Sequence, residues 1–408
     1  MPIEIRPARG DELDRVHFVV AYSFSGDRTD EGRQRMRHVE EMAPPIILLD
    51  AGEIVASLRL FDFTMLVNGA PIGLGGVSSV SCLPEHRRKG HVGRLLRHAL
   101  EQMRERGQPL SGLYTPHPDL YRRYGWMDAA GNLRYSFHPK HVRLFNAAPP
   151  AGRAVRITEE DWPALAGIYD RFSAGRTGYM QRTERWWKEA AFRYLYDAER
   201  NLNDVVVWEA PDGTRSGYLI YRPRREVRDP FNEVNTVSIS QFVTLTGDAY
   251  RGLLRYVLSH DLADEIAWYG PLDDPLAMAL DNAREVKRQY IDDLMLRVVD
   301  VEQAIAARPA ARGAPDGAFA VEIADASAPW NHGAWRIECS AGHLSARRHA
   351  GPGDISTDAC TFAAIYDGFL RATDAGRCGL ADVNDPQAAE LADRVLASDY
   401  PPFGSDFF

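Results

Sequence analysis

The chain has 408 residues, of which 45% are hydrophobic and 26% are charged, and its formal net charge is −9. This length predicts two or three domains, because one hydrophobic core rarely serves more than about 250 to 300 residues. The acidic balance argues against a general nucleic-acid-binding protein, which needs a basic face for phosphates.

The four cysteines, Cys82, Cys339, Cys360 and Cys378, are widely spaced. Such spacing favours reduced thiols over a disulfide framework or a zinc cluster, so no metal site is predicted. No apolar run approaches the roughly 18 residues of a membrane span, and residues 1–6 lack the basic and apolar regions of a signal peptide. We therefore expect a cytoplasmic protein without membrane contact.

The first part of the chain carries alternating helix and strand patterns. Its periodicity and one Asn-Gly turn predict these elements in order: a helix over Asp11–Phe24, strands over Pro45–Asp50 and Ile54–Phe63, a hairpin turn at Asn68-Gly69, a strand over Gly76–Leu83, a helix after Gly90 and a strand over Leu110–Thr115. Antiparallel strands followed by a strand–helix–strand crossover predict a mixed sheet.

The middle part of the chain repeats a similar order of predicted strands and helices. Residues 157–162 echo the opening of the first part, with Thr158 as the predicted cap of a helix. Three predicted strands and a predicted helix follow: Asp204–Glu209, Ser216–Arg222, Val234–Leu245 and Tyr250–Ser259. The similarity favours an internal duplication.

Two segments rich in proline, glycine and alanine, Ala147–Gly152 and Arg308–Pro315, are predicted linkers or exposed loops. With a further division near Tyr290, they predict three domains, over residues 1–147, 148–289 and 290–408. In the third domain, short strands and helices are expected over these residues: Phe319–Ile323, Ala334–Cys339, Asp358–Arg371 and Asp385–Ala397.

The segment Val80–Gly93 joins a strand to a basic turn and the start of a helix. Apolar residues then recur on one helix face, at Val92, Leu95, Leu96, Ala99, Leu100 and Met103. Arg87, Arg88 and Lys89 stand at the helix N-terminus, where unpaired amides and the helix dipole already favour an anion. A bound pyrophosphate explains this placement, with Gly90 permitting close approach, whereas a solvated basic turn is the alternative.

Common motifs of other enzyme classes are missing from the sequence. There is no Walker-type loop, no strand followed by G-x-G-x-x-G, no H-E-x-x-H pair and no G-x-S-x-G elbow. Nucleoside triphosphates, dinucleotides, metalloprotease chemistry and serine hydrolysis therefore fit the chain less well.

The same segment resembles motif A of the GNAT acetyltransferases, Q/R-x-x-G-x-G/A. Arg87 and Gly90 match this motif, whereas Val92 occupies the final small-residue position and Gly93 follows one residue later. The resemblance implies an acetyl-CoA site, with a strand that meets the pantetheine arm and a turn that holds the pyrophosphate. The implied residues are Val80, Ser81, Cys82, Arg87, Arg88, Gly90, Val92 and Gly93.

Four other segments resemble the enhanced-intracellular-survival (Eis) type of aminoglycoside acetyltransferase. They are Tyr121–Trp126, similar to Y-x-R-F/Y-G-Y/W, Arg182–Trp187, similar to R-x-x-x-W-W, Arg297–Val301 and the aromatic end Pro401–Phe408. The resemblance covers nearly the whole chain. It implies an α+β fold of two tandem GNAT-like mixed-sheet domains, the second degenerate, followed by a sterol-carrier-like α/β domain, often assembled as a hexamer.

Acetyl transfer to an amine needs a neutral amine, a stabilised oxyanion and a proton for the departing thiolate. The resemblance implies that Tyr121 is the general acid and that the α-carboxylate of Phe408 is the base, while the strand Val80–Cys82 polarises the thioester carbonyl. Cys82 is expected to be an inert buried thiol, which favours direct transfer. A packed aromatic ring and a frayed tail are the alternatives for Tyr121 and Phe408.

Phe24, Asp27 and Asp406 are candidates for a pocket that binds a small polycationic, aminoglycoside-like amine. A solvated surface charge is the alternative for either aspartate. Two other functions stay open: a lipid-binding or carrier protein in which the GNAT units are a scaffold, and acetylation of protein lysines.

Overall fold

The computed structural model describes residues 3–145, 148–196, 202–229 and 232–408. Ala147, the first residue of one predicted linker, and residues 1–2 lie outside the described residues. The chain divides into two compact units. One contains the residues up to Ala130 together with 175–181 and 293–408, and the other contains residues 131–174 and 182–292.

The part of the chain up to residue 130 contains six described strands: β1 Glu4–Pro7, β2 Pro45–Asp50, β3 Glu53–Val67, β4 Ala70–Cys82, β5 Leu110–Leu113 and β6 Met127–Asp128. Its described α-helices are α1 Leu13–Ser23, α2 Asp30–Met42, α3 His91–Glu105 and α4 Pro118–Arg122. The predicted elements are found here with shifted ends, whereas α2 and α4 were not predicted.

Residues 131–292 contain these described strands: β7 Gly131–Phe137, β8 Arg153–Arg156, β9 Asp204–Glu209, β10 Arg215–Asp229, β11 Asn232–Thr244, β12 Glu265–Pro271 and β13 Lys287–Asp292. The described helices are α5 Trp162–Ser173, α6 Glu184–Trp186 with a π-helical turn over Trp187–Ala191, α7 Gly247–Leu258 and α8 Leu276–Ala279. The predicted helix after Thr158 corresponds to α5.

Residues 293–408 contain these described strands: β14 Met295–Val298, β15 Gly317–Ala324, β16 Gly333–Ser340, β17 His343–Arg348, β18 Ile355–Asp358 and β19 Ala381–Val383. The described helices are α9 Val301–Ala307, α10 Ala359–Tyr366, α11 Ala372–Arg377 and α12 Pro386–Val395. None of the described helices is both long and apolar enough to cross a membrane.

Within the described residues, the strands form three sheets. The first has the order β1-β2-β3-β4-β5-β14-β6, the second β8-β9-β10-β11-β12-β7-β13, and the third β17-β16-β15-β18-β19. In each of the first two sheets the fourth and fifth strands are parallel and the other neighbours are antiparallel. These are the predicted mixed sheets, and their identical order agrees with an internal duplication.

Each mixed sheet takes its sixth strand from a distant part of the chain. β7 follows β6 in sequence but pairs with β12, and β14 follows β13 but pairs with β5. The chain therefore changes sheet after residue 130 and after residue 292, while the predicted domain limits fall at residues 147 and 289. The linker pattern could not reveal this exchange, because the residues from 147 to 152 connect β7 to β8 within the second sheet.

The first sheet is covered by a helix on each face. Along β2, Ile46 and Leu48 pack in the core that includes the apolar face of α3, whereas Ile47 and Leu49 pack with residues of α1. A strand covered on both faces is apolar at every position, which explains the unbroken run from residue 46 to 49. The predicted apolar face of α3 is buried from Leu95 onwards.

Candidate active site

A β-bulge interrupts β4 at the point where the chemistry was predicted. Ser81 pairs with Ser57 and Ser78 pairs with Arg59, so one extra residue lies in between, and Ser79 has a left-handed φ of 50°. On its other side, β4 pairs with β5 only at Leu74, Gly75 and Gly76. Beyond these residues the two parallel strands diverge, which leaves backbone groups of β4 outside the ladder on that side.

Of the three predicted strand residues, Val80 lies within the bulge, and Ser81 and Cys82 follow it. Val80 packs against the core of the first sheet, the Ser81 hydroxyl lies 2.9 Å from that of Ser57, and Cys82 is buried. Burial raises the pKa of the Cys82 thiol, which disfavours the nucleophilic thiolate. Packing therefore occupies their side chains and leaves their backbone groups as the available polar atoms.

The turn before α3 is basic and exposed. Arg87, Arg88 and Lys89 make no ion pair with any described carboxylate, and Arg87 Nε donates a hydrogen bond to Cys82 O at 3.1 Å. Arg88 and Gly90 adopt left-handed φ angles of 62° and 81°. This tight turn places three uncompensated cations directly before the helix.

The start of α3 adds backbone donors to these cations. The first helical hydrogen bond runs from Arg94 N to Gly90 O at 3.1 Å, which leaves the amides of His91, Val92 and Gly93 without an intrahelical acceptor. No side chain caps this helix. A Cβ at Gly93 would collide with the Tyr124 hydroxyl, whereas a Cβ at Gly90 would meet open space. Amides, dipole and cations together favour an anion at this position.

Tyr121 lies on α4, which follows β5. It is 9% exposed, meets the Trp126 ring edge-on at 6.4 Å, and belongs to the same core cluster as Val77 and Cys82 of β4. Burial raises the pKa of the Tyr121 phenol to about 12, and its hydroxyl makes no hydrogen bond to a described residue. The phenol is therefore protonated at neutral pH and retains its hydrogen-bonding capacity.

The side chain of Phe408 is buried among aromatic rings of the first sheet. It is 3% exposed, and its ring centroid lies 4.7 Å from that of Phe63 and 5.3 Å from that of Tyr114. A Cβ at Gly76 would lie 2.7 Å from Phe63 and 2.8 Å from Phe408. Glycine is therefore required where the last residue of the chain packs on β4, at the point where β4 leaves β5.

A short strap, residues 175–181, holds the C-terminal tail against β3. Leu66 N donates to Tyr179 O at 2.7 Å, and Phe403 N donates to Thr177 O at 3.1 Å. Gly178 has a φ of 92° and leaves no room for a Cβ beside the backbone of Phe403. The tail is thus hydrogen-bonded to the strap, which is bonded to β3, and the chain end is anchored by its backbone.

The three predicted acceptor residues have different environments. Phe24 is 60% exposed at the end of α1, whereas Asp406 is 5% exposed and accepts a hydrogen bond from the Ser405 hydroxyl at 2.5 Å. Asp27 accepts hydrogen bonds from the amide and hydroxyl of Thr29 and from Arg35, and the bonds from Thr29 lower its pKa. Asp27 therefore also has a structural part in starting α2.

Two residues near the tail were missed by sequence reasoning. The Asp293 carboxylate accepts a hydrogen bond from Gly404 N at 3.0 Å, and burial raises its pKa to about 7. Tyr114 contacts the rings of both Phe407 and Phe408. The one sequence signal for this cluster is the glycine pair before Val77, because glycine within a strand indicates close approach of another group.

Comparison with protein families assigns residues 4–129 to an acetyltransferase (GNAT) domain, residues 178–298 to a second one and residues 301–405 to a sterol carrier protein domain. An uncharacterized N-acetyltransferase of Streptomyces coelicolor is 29% identical, over 88% of this chain and 85% of its own. N-acetyltransferase Eis of Mycobacterium tuberculosis is 24% identical over 96% of both chains.

The crystal structure of Eis1 from Mycobacterium abscessus superimposes with a TM-score of 0.80 at 26% identity, covering all of both chains. The predicted fold class of two tandem GNAT-like domains followed by a sterol-carrier-like domain is confirmed. The chain belongs to the Eis-like family of GNAT N-acetyltransferases, which transfer acetyl groups to amines.

Proposed function

We propose that this N-acetyltransferase takes its acetyl group from acetyl-CoA and transfers it to amines of small polycationic acceptors of the aminoglycoside kind. The anion site at the start of α3 carries the proposal. Arg87, Arg88 and Lys89 are exposed and make no ion pair with a described carboxylate, and they stand beside helix amides without intrahelical acceptors. A pyrophosphate brings the negative charge that this arrangement lacks.

The other proposed donor contacts are backbone groups. Val80, Ser81 and Cys82 lie in the part of β4 that has left β5, where an extended pantetheine arm can take the place of a strand. Gly90 ends the basic turn, and Val92 and Gly93 are the second and third residues of α3. Acetyl-CoA supplies an activated thioester, and a β4 amide would stabilise charge on its carbonyl oxygen.

Tyr121 is the proposed general acid. Its raised pKa keeps the proton on the phenol at neutral pH, so the acid form is always present. The same burial makes the phenol a weaker acid. It would therefore donate its proton late in the reaction, when the departing sulfur of CoA has acquired negative charge. Tyr121 shares a core cluster with β4, which keeps the phenol beside the diverging strand.

The α-carboxylate of Phe408 is the proposed base. Amines resembling lysine have a pKa near 10.4, so an acceptor amine must lose a proton before it attacks. The buried Phe408 ring fixes the last residue beside Gly76 and Tyr114, at the opening between β4 and β5. An anchored carboxylate there would accept the proton, directly or through water.

For the acceptor site, we propose Phe24 as an exposed aromatic wall and Asp27 and Asp406 as the negative groups that attract amines. The net charge of −9 favours the approach of a polycation over longer distances. The Asp27 carboxylate already accepts hydrogen bonds from Thr29 and Arg35. It would therefore attract an amine through its electrostatic field more than through a new hydrogen bond. Assembly into a hexamer and a cytoplasmic location stay predictions.

The lipid-carrier alternative has less support. A groove in the third domain runs between α11, β19 and α12. Its lining includes several polar and charged residues: Ser356, Thr373, Arg377, Asp382, Asn384 and Glu390. An acyl chain would leave these groups without water, whereas lipid sites are mostly apolar.

A single acceptor panel tests the proposal. Release of free CoA thiol is measured with acetyl-CoA and equal concentrations of an aminoglycoside, a polyamine and a lysine peptide. We expect kcat/KM for the aminoglycoside to exceed that for the peptide at least about 100-fold. Faster turnover of the peptide would favour protein acetylation, and absence of turnover with every amine would contradict the proposal.

The same assay tests the base. A variant with one glycine added after Phe408 moves the carboxylate but keeps the buried ring. We expect kcat to fall about 100-fold or more, since general-base catalysis contributes roughly that factor. Extension at the N-terminus is the control, and an unchanged kcat in the C-terminally extended protein would remove the carboxylate from the mechanism.

A further inference from the structure

Three side chains with metal-binding atoms meet beside the anion site. Asp50 ends β2, His86 ends the 3-10 turn Pro84–His86, and His91 is the first residue of α3. His86 Nδ1 lies 3.6 Å and His91 Nε2 lies 3.5 Å from the same atom, Asp50 Oδ2. One possible ligand atom from each of the three residues lies within 4.8 Å of the other two.

The histidines of this cluster lack hydrogen bonds. His91 is 4% exposed, and neither of its ring nitrogens makes a hydrogen bond to a described residue. His86 Nδ1 is also buried without a partner. An unsatisfied buried polar group is unfavourable, so we expect these nitrogens to have a partner outside the described side chains.

The separations fit a shared metal ion better than direct hydrogen bonds. A hydrogen bond between nitrogen and oxygen spans about 2.7 to 3.2 Å, which is shorter than both distances to Asp50 Oδ2. Ligands at about 2.0 to 2.2 Å from a tetrahedral zinc ion lie roughly 3.3 to 3.6 Å apart. Four residues separate the two histidines, within the spacing of about three to five that paired zinc histidines show.

We propose that Asp50, His86 and His91 form a binding site for a divalent cation of the zinc type. Two imidazole nitrogens and one carboxylate oxygen are ligands that zinc accepts, and a fourth position is left for water. The sequence predicted no metal site, because Asp50 lies far from the histidine pair along the chain.

The ion would act on the anion site. His86 and His91 flank the basic turn on both sides, so a shared ion would fix the two ends of Arg87–Gly90 relative to β2. The charges of Lys89 and Arg94 also act on His91 and oppose a cation. Asp50 is the carboxylate of the cluster that offsets the ion's charge, so it should contribute strongly to affinity.

The test uses the full chain without a histidine tag, treated with chelator and then titrated with zinc by calorimetry. We expect one zinc per chain, with the affinity lowered at least about 100-fold in His91→Ala and in Asp50→Asn. His98→Ala is the matched control, because His98 lies on the same helix but bonds to Gln102. Its affinity should equal that of the unmodified protein.

A second measurement guards against loss of folding in the buried variant. His86→Asn alters a partly exposed side chain, and its circular dichroism should match the parent while its zinc affinity falls. With cobalt in place of zinc, we expect visible d–d bands without a thiolate charge-transfer band. No zinc binding by the parent protein, unchanged affinity in Asp50→Asn and His86→Asn, or a thiolate band from a site such as exposed Cys378 would each overturn the proposal.

Discussion

The two mixed sheets have the same strand order but differ at the helix that follows the bulged strand. In the second sheet, the Thr246 hydroxyl caps α7 by accepting a hydrogen bond from Ala249 N at 3.2 Å, and Asp248 in the first turn pairs with Arg251. In the first sheet, α3 begins after Gly90 without a side-chain cap and follows three cations. The same fold therefore favours an anion only at the helix start where amides lack acceptors and cations lack ion-pair partners.

The bulge itself occurs in both sheets. In the second, Ile220 pairs with Gln241 and Tyr221 with Ile239, so the residue between them is extra, as Ser79 is in β4. The interior of the second sheet is filled, however, because Phe242 lies 4.4 Å from Trp268 and 5.1 Å from Tyr250 between ring centroids. Shared topology therefore does not carry the chemistry with it.

The largest expected difference between the sheets concerns their buried tyrosines. Tyr121 on α4 has no counterpart on α8, whose sequence is Leu276–Ala279. We expect Tyr121→Phe to lower kcat about 1000-fold with little change in KM for acetyl-CoA, because only proton donation is lost. Steady-state thiol release measures both quantities.

The matched control for this change is Tyr250→Phe in the second sheet. It removes a hydrogen bond of 2.9 Å to Asp274 and should lower the free energy of unfolding by about 1 to 2 kcal/mol while kcat is unchanged. Full turnover by folded Tyr121→Phe protein would show that Tyr121 is only a packing residue. The two sheets would then not differ in a catalytic tyrosine.

The next effect concerns the tail, which belongs to the unit of the first sheet. Burial raises the pKa of Asp293 to about 7, whereas an unfolded chain has the ordinary pKa near 3.9. The folded state therefore holds a proton that the unfolded state has lost, so stability falls as pH rises from about 4 to 7 and stays low above. About three pKa units correspond to roughly 4 kcal/mol.

Asp293→Asn should remove this pH dependence, because the amide oxygen can still accept from Gly404 N but carries no charge. We expect the free energy of unfolding at pH 8 to rise by up to about 4 kcal/mol and that at pH 4 to change little. Urea unfolding at both pH values measures the change, with the exposed neighbour Asp292→Asn as control. A parent protein as stable at pH 8 as at pH 4 would contradict the expectation.

A charge reversal compares the two helix starts directly. Arg88→Glu should lower the affinity for acetyl-CoA about 100-fold, because an attraction to phosphate becomes a repulsion. Arg251→Glu, near the start of α7, should leave that affinity unchanged. Calorimetric titration with acetyl-CoA distinguishes these outcomes, and equal affinity of the Arg88→Glu and parent proteins would mean that the basic turn is only a solvated surface.

Local features of the first sheet could be predicted from sequence. The apolar spacing that follows Val92 defines the buried face of α3, and a strand, basic turn and helix in succession indicate an anion site. Both depend on residues within one helix or one turn. The fold class could be predicted only with the family resemblance, because neither sheet encodes its partner strands locally.

Features that depend on distant contacts could not be predicted. The bulge at Ser79 requires the register with β3, and the anchored tail requires the strap around Gly178. The cluster of Asp50, His86 and His91 forms only once β2 lies beside the start of α3. The exchange of β7 and β14 leaves no trace in composition, because a short strand does not encode which sheet it joins.

The smallest expected effect separates helix capping from ligand binding. Thr246→Ala removes the cap of α7 and should lower the free energy of unfolding by about 1 kcal/mol. It should not create affinity for acetyl-CoA, because exposing amides without adding cations reproduces only half of the α3 arrangement. Gly90→Ala should cost about 1 kcal/mol as well, since a Cβ is disfavoured at its left-handed φ of 81°, but its open surroundings leave the fold intact. If Thr246→Ala alone produced measurable acetyl-CoA binding beyond the parent's single site, free amides would suffice and the cations before α3 would lose their assigned role.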